Sequence, residues 1–247
     1  MAVPTDALQA DRAALLEICA GLSGSQWGAP SGCPGWSVKD LIAHVSALFW
    51  QVVDPARLPD AAGLPTEQAQ EVFVAARRAL SATAVLADYE AVSSKALAVL
   101  ATFAGQDFEV PLGDLGTYPA AALPTAFCFD HYVHIREDLF APRGPLAGPP
   151  PASDALRVAP ALDWIEAALP QQNRGLVNGL NGTVGIALTG PGARRISLGS
   201  GPVTARITAA DATFIRCVTH RARWEDSGAE LSGDERALQA LRGMRVF

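Results

Sequence analysis

The N-terminal half of the chain carries apolar positions at the spacing of amphipathic helices. One pattern runs from about Thr5 to Leu22, and a second follows Ser37, a candidate N-cap with Asp40 at the third helical position. The apolar stripe of this second pattern comprises Val38, Leu41, Ile42, Val45, Leu48 and Phe49. The patterns predict two helices that each bury one face against a core.

Two further helical stretches follow. Residues 66–103 are rich in alanine and predict a long helical stretch with an interruption near Asp88. Residues 106–119 contain glycine and proline and predict a loop or a short hairpin, after which a helix covers 124–140. Four long helices with such connections are typical of a helix bundle.

The pattern changes after residues 141–151, a proline- and glycine-rich segment that is typical of a semi-rigid linker. We therefore predict two domains, a helical bundle over residues 1–150 and a second domain over 151–247. The elements predicted for the second domain are helices at 154–169, 209–218 and 234–243 and strands at 183–188, 195–198 and 203–207. This mixture indicates a small α+β domain.

The composition narrows the range of partners. Apolar residues make up 49% of the 247 residues and charged residues 18%, which is typical of a globular protein. A net charge of -6 repels phosphate backbones and anionic lipids, so we expect neither nucleic acid nor a membrane as a partner. Residues 1–6 show no signal-peptide pattern and the four cysteines form no CxxC pair, which favours a cytoplasmic protein with reduced thiols.

Three of the four histidines fall on the best-defined helices: His44 on the second, and His131 and His134 on the fourth. Asp130 and His134 are four residues apart and share one helix face, and His44 lies at the border of the buried face of its helix. Two imidazoles and a carboxylate from facing helices can hold zinc with one position open. On spacing alone, ordinary hydrogen-bonded side chains are the simpler interpretation.

Two motifs change this interpretation. Residues 27–44, WGAPSGCPGWSVKDLIAH, resemble the motif W-x-x-P-(S/T)-x-C-P-G-W-(S/T)-V-(R/K)-D-L-x-x-H of the mycothiol-dependent maleylpyruvate isomerase family, part of the DinB-like superfamily. Residues 130–139 resemble its second motif, E-x-x-x-H-x-x-D-L, and residues 214–247 are similar to its smaller C-terminal domain, which has a sterol-carrier-like α+β fold. The resemblance implies a DinB-like four-helix bundle followed by a small α+β domain.

The resemblance also implies that His44, Asp130 and His134 bind one zinc ion per chain. Two departures from the family pattern are visible. Asp130 stands where the family usually has Glu, and Asp138 follows His134 at a spacing one residue longer than the commonest form. A carboxylate that is shorter by one methylene still coordinates zinc, but it draws the ion closer to its helix.

Several other residues are candidates for supporting roles. Arg221 matches an arginine that in the family points from the C-terminal domain to the active site, where it could hold a carboxylate of the substrate or the thiol. An ion pair with Glu225, four residues further on, is the alternative. His131 and Trp36 could support the site or simply pack in the core. Cys33 has no histidine or basic residue beside it in sequence, so we expect no nucleophile from the protein itself.

The function implied by the resemblance is an enzyme that binds the low-molecular-weight thiol mycothiol on zinc and adds its thiolate to a small electrophile. An isomerase would rotate and re-eliminate the adduct, whereas a transferase would release a thioether, and both remain open. The alternatives are a zinc hydrolase with Glu137 or Asp138 as its base, and a small-ligand carrier with a structural metal. Alanine occurs 46 times and only Lys39 and Lys95 of the 19 basic residues are lysine, which is consistent with a GC-rich, actinobacterial genome.

Overall fold

The computed structural model describes residues 4–247, so the first three residues of the predicted N-terminal domain lie outside the described part. Within residues 4–247 there are ten α-helices and six strands in two sheets. The helices are α1 (Pro4–Ala20), α2 (Gly24–Gly28), α3 (Val38–Val53), α4 (Thr66–Ala75), α5 (Ala82–Ala101), α6 (Leu123–Val133), α7 (Ala155–Gln172), α8 (Arg174–Asn178), α9 (Asp211–Val218) and α10 (Glu235–Arg242). The strands are β1 (Glu109–Pro111), β2 (Thr117–Pro119), β3 (Thr183–Thr189), β4 (Arg194–Gly199), β5 (Val203–Ala210) and β6 (Glu230–Gly233). A mixed fold, helical first and with its larger sheet in the C-terminal part, is confirmed.

The helices α1, α3, α5 and α6 surround the first hydrophobic core. α3 begins where the sequence predicts, because the Ser37 hydroxyl accepts the Asp40 backbone N–H while the Asp40 carboxylate accepts the Ser37 N–H. Five of the six predicted stripe positions of α3 are buried, and Leu48 is half-buried. α3 lies along α5 and also contacts α6, and this contact positions the site described below.

The helical stretch at 66–103 differs from its prediction in one respect. Its interruption lies at residues 76–81, between α4 and α5, and Asp88 lies inside α5. Ser81 caps α5 through its side chain, and the Lys39 ammonium group donates to two backbone carbonyls within the break. These contacts satisfy the backbone groups that the break exposes, whereas an aspartate on a helix surface interrupts nothing.

A hairpin and a π-helical turn flank α6, the helix that carries part of the site described below. Residues 106–119 contain the predicted hairpin, in which β1 and β2 are antiparallel. The fourth helix differs from the prediction at its end, because α6 stops at Val133 and His134–Leu139 form a π-helical turn. Turns of this kind are rare and recur at functional sites.

The four-stranded sheet has the order β4-β3-β5-β6, with β3 and β5 parallel and the other pairs antiparallel. Its side chains alternate between a buried face and an exposed face. The buried positions are Val184, Ile186, Leu188, Ile196, Leu198, Ala205, Ile207 and Ala209. At the end of β4, Gly199 has a φ of +97°, and a Cβ there would lie 2.4 Å from the Gly182 carbonyl oxygen, so this crossing over the end of β3 requires glycine. The sequence patterns do not predict the short elements α2, α8 and β6.

A second core lies between α7 and the buried face of this sheet. α6 supplies side chains to both cores, Cys128 to the first and Phe129 and Tyr132 to the second. The division into domains at residue 150 therefore stays a prediction. None of the described helices has the length and apolar character that a membrane span requires.

Candidate metal centre

Three ionisable side chains meet where α3 contacts α6. His44 lies on α3, Asp130 on α6, and His134 is the first residue of the π-helical turn. One ligand atom from each of the three lies within 4.8 Å of the other two, and both imidazoles are buried. The structure thus brings together the three side chains that the sequence singles out.

The distances within this cluster suit the ligands of one metal ion better than they suit short charge-assisted hydrogen bonds. The Asp130 Oδ1 lies 3.4 Å from His44 Nε2 and 3.3 Å from His134 Nε2. A charge-assisted hydrogen bond between an imidazole and a carboxylate is shorter, about 2.7–2.9 Å. Two ligands of a tetrahedral zinc ion with bonds of about 2.0–2.1 Å are roughly 3.4 Å apart, which matches both distances.

An unpartnered atom of Asp130 supports the same interpretation. Among the described residues, Asp130 Oδ2 has no hydrogen-bond partner, although it is buried. Buried polar atoms are rarely left in this state. Two neutral imidazoles and one carboxylate fit zinc, and three protein ligands leave the fourth position that catalytic zinc sites keep open.

The opposite edge of the His134 ring has a different environment. Its Nδ1 lies 2.8 Å from Asp138 Oδ2, and Asp138 is completely buried. Arg221 contacts both oxygens of Asp138, at 3.1 Å through Nε and at 2.5 Å through Nη2. Arg143 adds a third cation, 3.5 Å from Oδ1.

Cys33, His134 and Asp138 form a second group close enough to hold an ion. Arg221 and Arg143 already compensate the Asp138 charge, however, and they would repel a further cation at this distance. The cluster of His44, Asp130 and His134 contains no arginine and is therefore the better candidate for a metal.

The charges of the metal-free cluster are strongly coupled. Burial raises the pKa of Asp130, but His134 and His44 outweigh burial and hold that pKa well below its usual range. Burial lowers the pKa of His134, but Asp130 first, and then Cys33 and Asp138, raise it well above the usual value. An incoming ion must therefore displace a proton from His134.

The family model for the mycothiol maleylpyruvate isomerase N-terminal domain matches residues 8–139, which is more than half of the chain and includes the whole cluster. The chain belongs to this family. A crystal structure of the mycothiol-dependent maleylpyruvate isomerase has a TM-score of 0.60 and 18% identity, and the match covers 94% of this chain and 92% of that one. A histidine-to-alanine mutant of that enzyme gives 0.59 and 17% over the same shares. At such identities the similarity shows a common fold. Among curated protein sequences there is no match.

The chain differs from the second isomerase-family motif by one extra residue between His134 and Asp138. Both residues lie within the π-helical turn His134–Leu139, in which side chains four residues apart face the same side. His134 and Asp138 therefore remain on one side of the helix, four residues apart, and their side chains meet.

Arg221 lies at the site and not beside Glu225. Its side chain is 15% exposed and pairs with Asp138, whereas Glu225 lies near Arg223 and Arg242. Asp138 thus connects Arg221, which follows α9, to the helical part of the molecule. That Arg221 binds substrate or thiol stays a prediction.

Trp36 and His131 have different surroundings. The Trp36 ring centroid lies 4.9 Å from that of His44, so the indole covers one side of this imidazole. His131 is fully buried outside the cluster, with Nε2 3.2 Å from the Tyr89 hydroxyl and Nδ1 3.0 Å from the Phe127 carbonyl oxygen. Burial lowers the pKa of His131, which makes it a neutral core residue.

Sequence reasoning missed the contact between Cys33 and His134. The Cys33 Sγ lies 3.6 Å from His134 Nδ1, although the two residues are 101 positions apart. The loop reaches this place because the Gly32 N–H donates to the Asp138 carbonyl oxygen at 2.7 Å, and a Cβ on Gly32 would lie 2.8 Å from Asp138 Cα. The glycine before the cysteine is the one sequence signal of this close approach. That the protein supplies no nucleophile stays a prediction.

Proposed function

We propose that this protein is a zinc enzyme that uses mycothiol as a nucleophile toward a small electrophile, with His44, Asp130 and His134 as the zinc ligands. The observation that carries the proposal is the pair of 3.3 and 3.4 Å distances from one Asp130 oxygen to two imidazole nitrogens. They support a set of three ligands around an open zinc site, in a chain whose family includes a mycothiol-dependent enzyme.

A zinc ion held by one carboxylate and two neutral imidazoles keeps a net positive charge, and it thereby lowers the pKa of a coordinated thiol. Neighbouring side chains contact both imidazoles of the site. Trp36 packs against His44, and an oxygen of the Asp138 carboxylate lies 2.8 Å from His134 Nδ1. We place this chemistry in the cytoplasm, where low-molecular-weight thiols stay reduced.

The thiolate of mycothiol would add to an electrophilic carbon of the substrate. With an activated cis double bond, addition leaves a single bond that can rotate, and elimination of the same thiol returns the trans isomer. This isomerase outcome is the first candidate because of the family, and a transferase that releases the thioether is the second.

One observation argues against Asp138 as the general base of the hydrolase alternative. A hydrolase needs a general base near the metal-bound water. Both oxygens of Asp138 accept hydrogen bonds from Arg221, and one of them also accepts from His134, so Asp138 is poorly suited to take a proton. The same cations hold the pKa of Asp138 well below its usual range despite burial, which raises it.

Elemental analysis followed by calorimetric titration with mycothiol tests the proposal. We expect about one zinc per chain in the wild type, and loss of both zinc and mycothiol binding in His44→Ala. His220→Asn is the matched control, because His220 is exposed, its Nε2 lies 3.1 Å from the Met244 carbonyl oxygen, and it has a positive φ that Asn tolerates. Mycothiol binding that survives removal of zinc would reject the proposal in favour of a carrier.

A further inference from the structure

Asp138 is the most thoroughly buried carboxylate beside the candidate metal centre. Its relative exposure is 0%, and its Oδ2 lies 2.8 Å from His134 Nδ1. A charged carboxylate only accepts hydrogen bonds, so the proton of this bond belongs to the His134 nitrogen. The geometry therefore assigns the Nδ1–H form to His134.

This assignment determines what the other ring nitrogen can do. With the proton held on Nδ1, the lone pair of a neutral His134 lies on Nε2, the atom 3.3 Å from Asp130 Oδ1. In known metal sites a carboxylate that accepts the second ring N–H of a histidine fixes both the ring orientation and the basicity of the ligand. Asp138 is placed to do this for His134.

Asp138 is itself held from the C-terminal part of the chain. Arg221 donates to Asp138 from Nε and Nη2, and the only further hydrogen bond of the Arg221 side chain among the described residues is a long one, 3.4 Å, to the Thr219 carbonyl. A guanidinium that contacts both carboxylate oxygens fixes the plane of the carboxylate as well as its charge. The chain of contacts runs from Arg221 through Asp138 to His134.

We infer that Asp138 is a positioning residue for the metal ligand His134, and that Arg221 acts on the site through Asp138 rather than by binding substrate. The inference rests on the metal centre proposed above. It also explains how Arg221, which follows α9, could affect a metal bound between α3 and α6.

Zinc affinity, measured by competition with a chromophoric chelator, tests the inference without an activity assay. We expect Asp138→Asn to weaken zinc binding by about 10- to 100-fold, the usual effect of losing such a partner. Asp11→Asn is the matched control. Asp11 is a buried aspartate that lies 2.9 Å from Arg136, and Arg136 belongs to the same π-helical turn as His134. Among the described residues, no hydrogen bond or ion pair joins Asp11 to His134. The zinc affinity of Asp11→Asn should equal that of the wild type.

A second set of variants separates positioning by Arg221 from substrate binding. If Arg221 acts through Asp138, Arg221→Gln weakens zinc binding, Arg221→Lys recovers part of the loss, and Arg221→Gln adds little to Asp138→Asn. If Arg221 instead binds substrate, Arg221→Gln leaves zinc affinity unchanged and raises only KM. The latter result would overturn the role that we assign to Arg221.

A readout on zinc-free protein distinguishes failure of this inference from failure of the proposed function. The His134 Nδ1 proton should give a downfield proton resonance in the wild type, coupled to nitrogen in ¹⁵N-histidine protein, and Asp138→Asn should remove or shift it. If the wild type binds no zinc but shows this resonance, the proposed metal site is wrong, whereas the hydrogen bond between His134 and Asp138 stands. Unchanged zinc affinity in Asp138→Asn would overturn the inference; if that variant does not fold, Asp138→Glu, which keeps the charge and displaces the acceptor, provides the same comparison.

Discussion

His134 and Asp138 are joined by a 2.8 Å hydrogen bond on one edge of the imidazole, while the other edge faces Asp130 at 3.3 Å. The first distance is that of a charge-assisted hydrogen bond, and the second matches the spacing expected of two ligands of one zinc ion. The His134 ring therefore lies between two carboxylates. Asp138 accepts a hydrogen bond from the Nδ1 edge, and Asp130 would share a metal ion with the Nε2 edge.

Replacing Asp130 by Asn tests the ligand set. The variant keeps the side-chain volume and removes the only negative ligand, so zinc affinity should fall by more than the roughly 10- to 100-fold typical of outer-shell changes. Glu137→Gln is the control, because Glu137 lies in the adjacent π-helical turn but outside both clusters. Chelator competition measures both, and equal losses in the two variants would contradict the assignment.

Replacing Cys33 by Ser decides between the two possible metal groups. The Cys33 thiol faces the Nδ1 edge of His134, where Asp138 is already paired with Arg221. Zinc stoichiometry of Cys33→Ser, measured by elemental analysis after dialysis, should equal that of the wild type. Loss of the ion would place the metal on the Cys33 side instead.

Gly32→Ala should destabilise the protein by roughly 1–3 kcal/mol, because the new Cβ would lie 2.8 Å from Asp138 Cα and Oδ1 and 3.2 Å from Arg143 Cβ. Gly28→Ala is a matched change nearby with nothing within 4 Å, and it should be neutral or stabilise by about 0.4–1 kcal/mol. Urea unfolding of both variants measures the difference. Equal stabilities would show that the loop does not depend on this close approach.

His131 should make the zinc-free protein sensitive to acid. Burial lowers its pKa, so the unfolded chain binds a proton at this residue that the folded protein excludes, and the contribution of His131 to stability falls as the pH drops below about 6.5. His131→Gln should lose roughly 1–3 kcal/mol at about pH 8, since the Tyr89 hydroxyl loses its partner. Between about pH 8 and 5.5 it should then lose less stability than the wild type in urea unfolding; parallel losses would contradict the assignment.

The sequence predicts the elements that depend on local contacts. The Ser37 cap and the apolar stripe of α3 are examples, because their spacing alone determines one helix start and one buried face. The break before Ser81 is different, since Lys39 on another helix satisfies its carbonyls. The strand β6 is short and is stabilised mainly by its pairing with β5, so the pattern of its own residues does not predict a strand.

The candidate site divides in the same way. Asp130 and His134 are predictable because they are neighbours on one helix face, and His44 because of the motif that it ends. The partner of Arg221 is not predictable, since Asp138 is 83 positions away and both side chains must be buried before they can pair. Cys33 reaches His134 only through the close approach of Gly32 to Asp138.

X-ray absorption at the zinc edge, recorded before and after addition of mycothiol, is the direct test of thiol activation on zinc. Before addition we expect only nitrogen and oxygen ligands, from His44, Asp130 and His134 and one exchangeable ligand. Once mycothiol is present we expect one sulfur at about 2.3 Å. No sulfur after addition would contradict thiol activation at this site, and sulfur before addition would mean that Cys33 is itself a ligand.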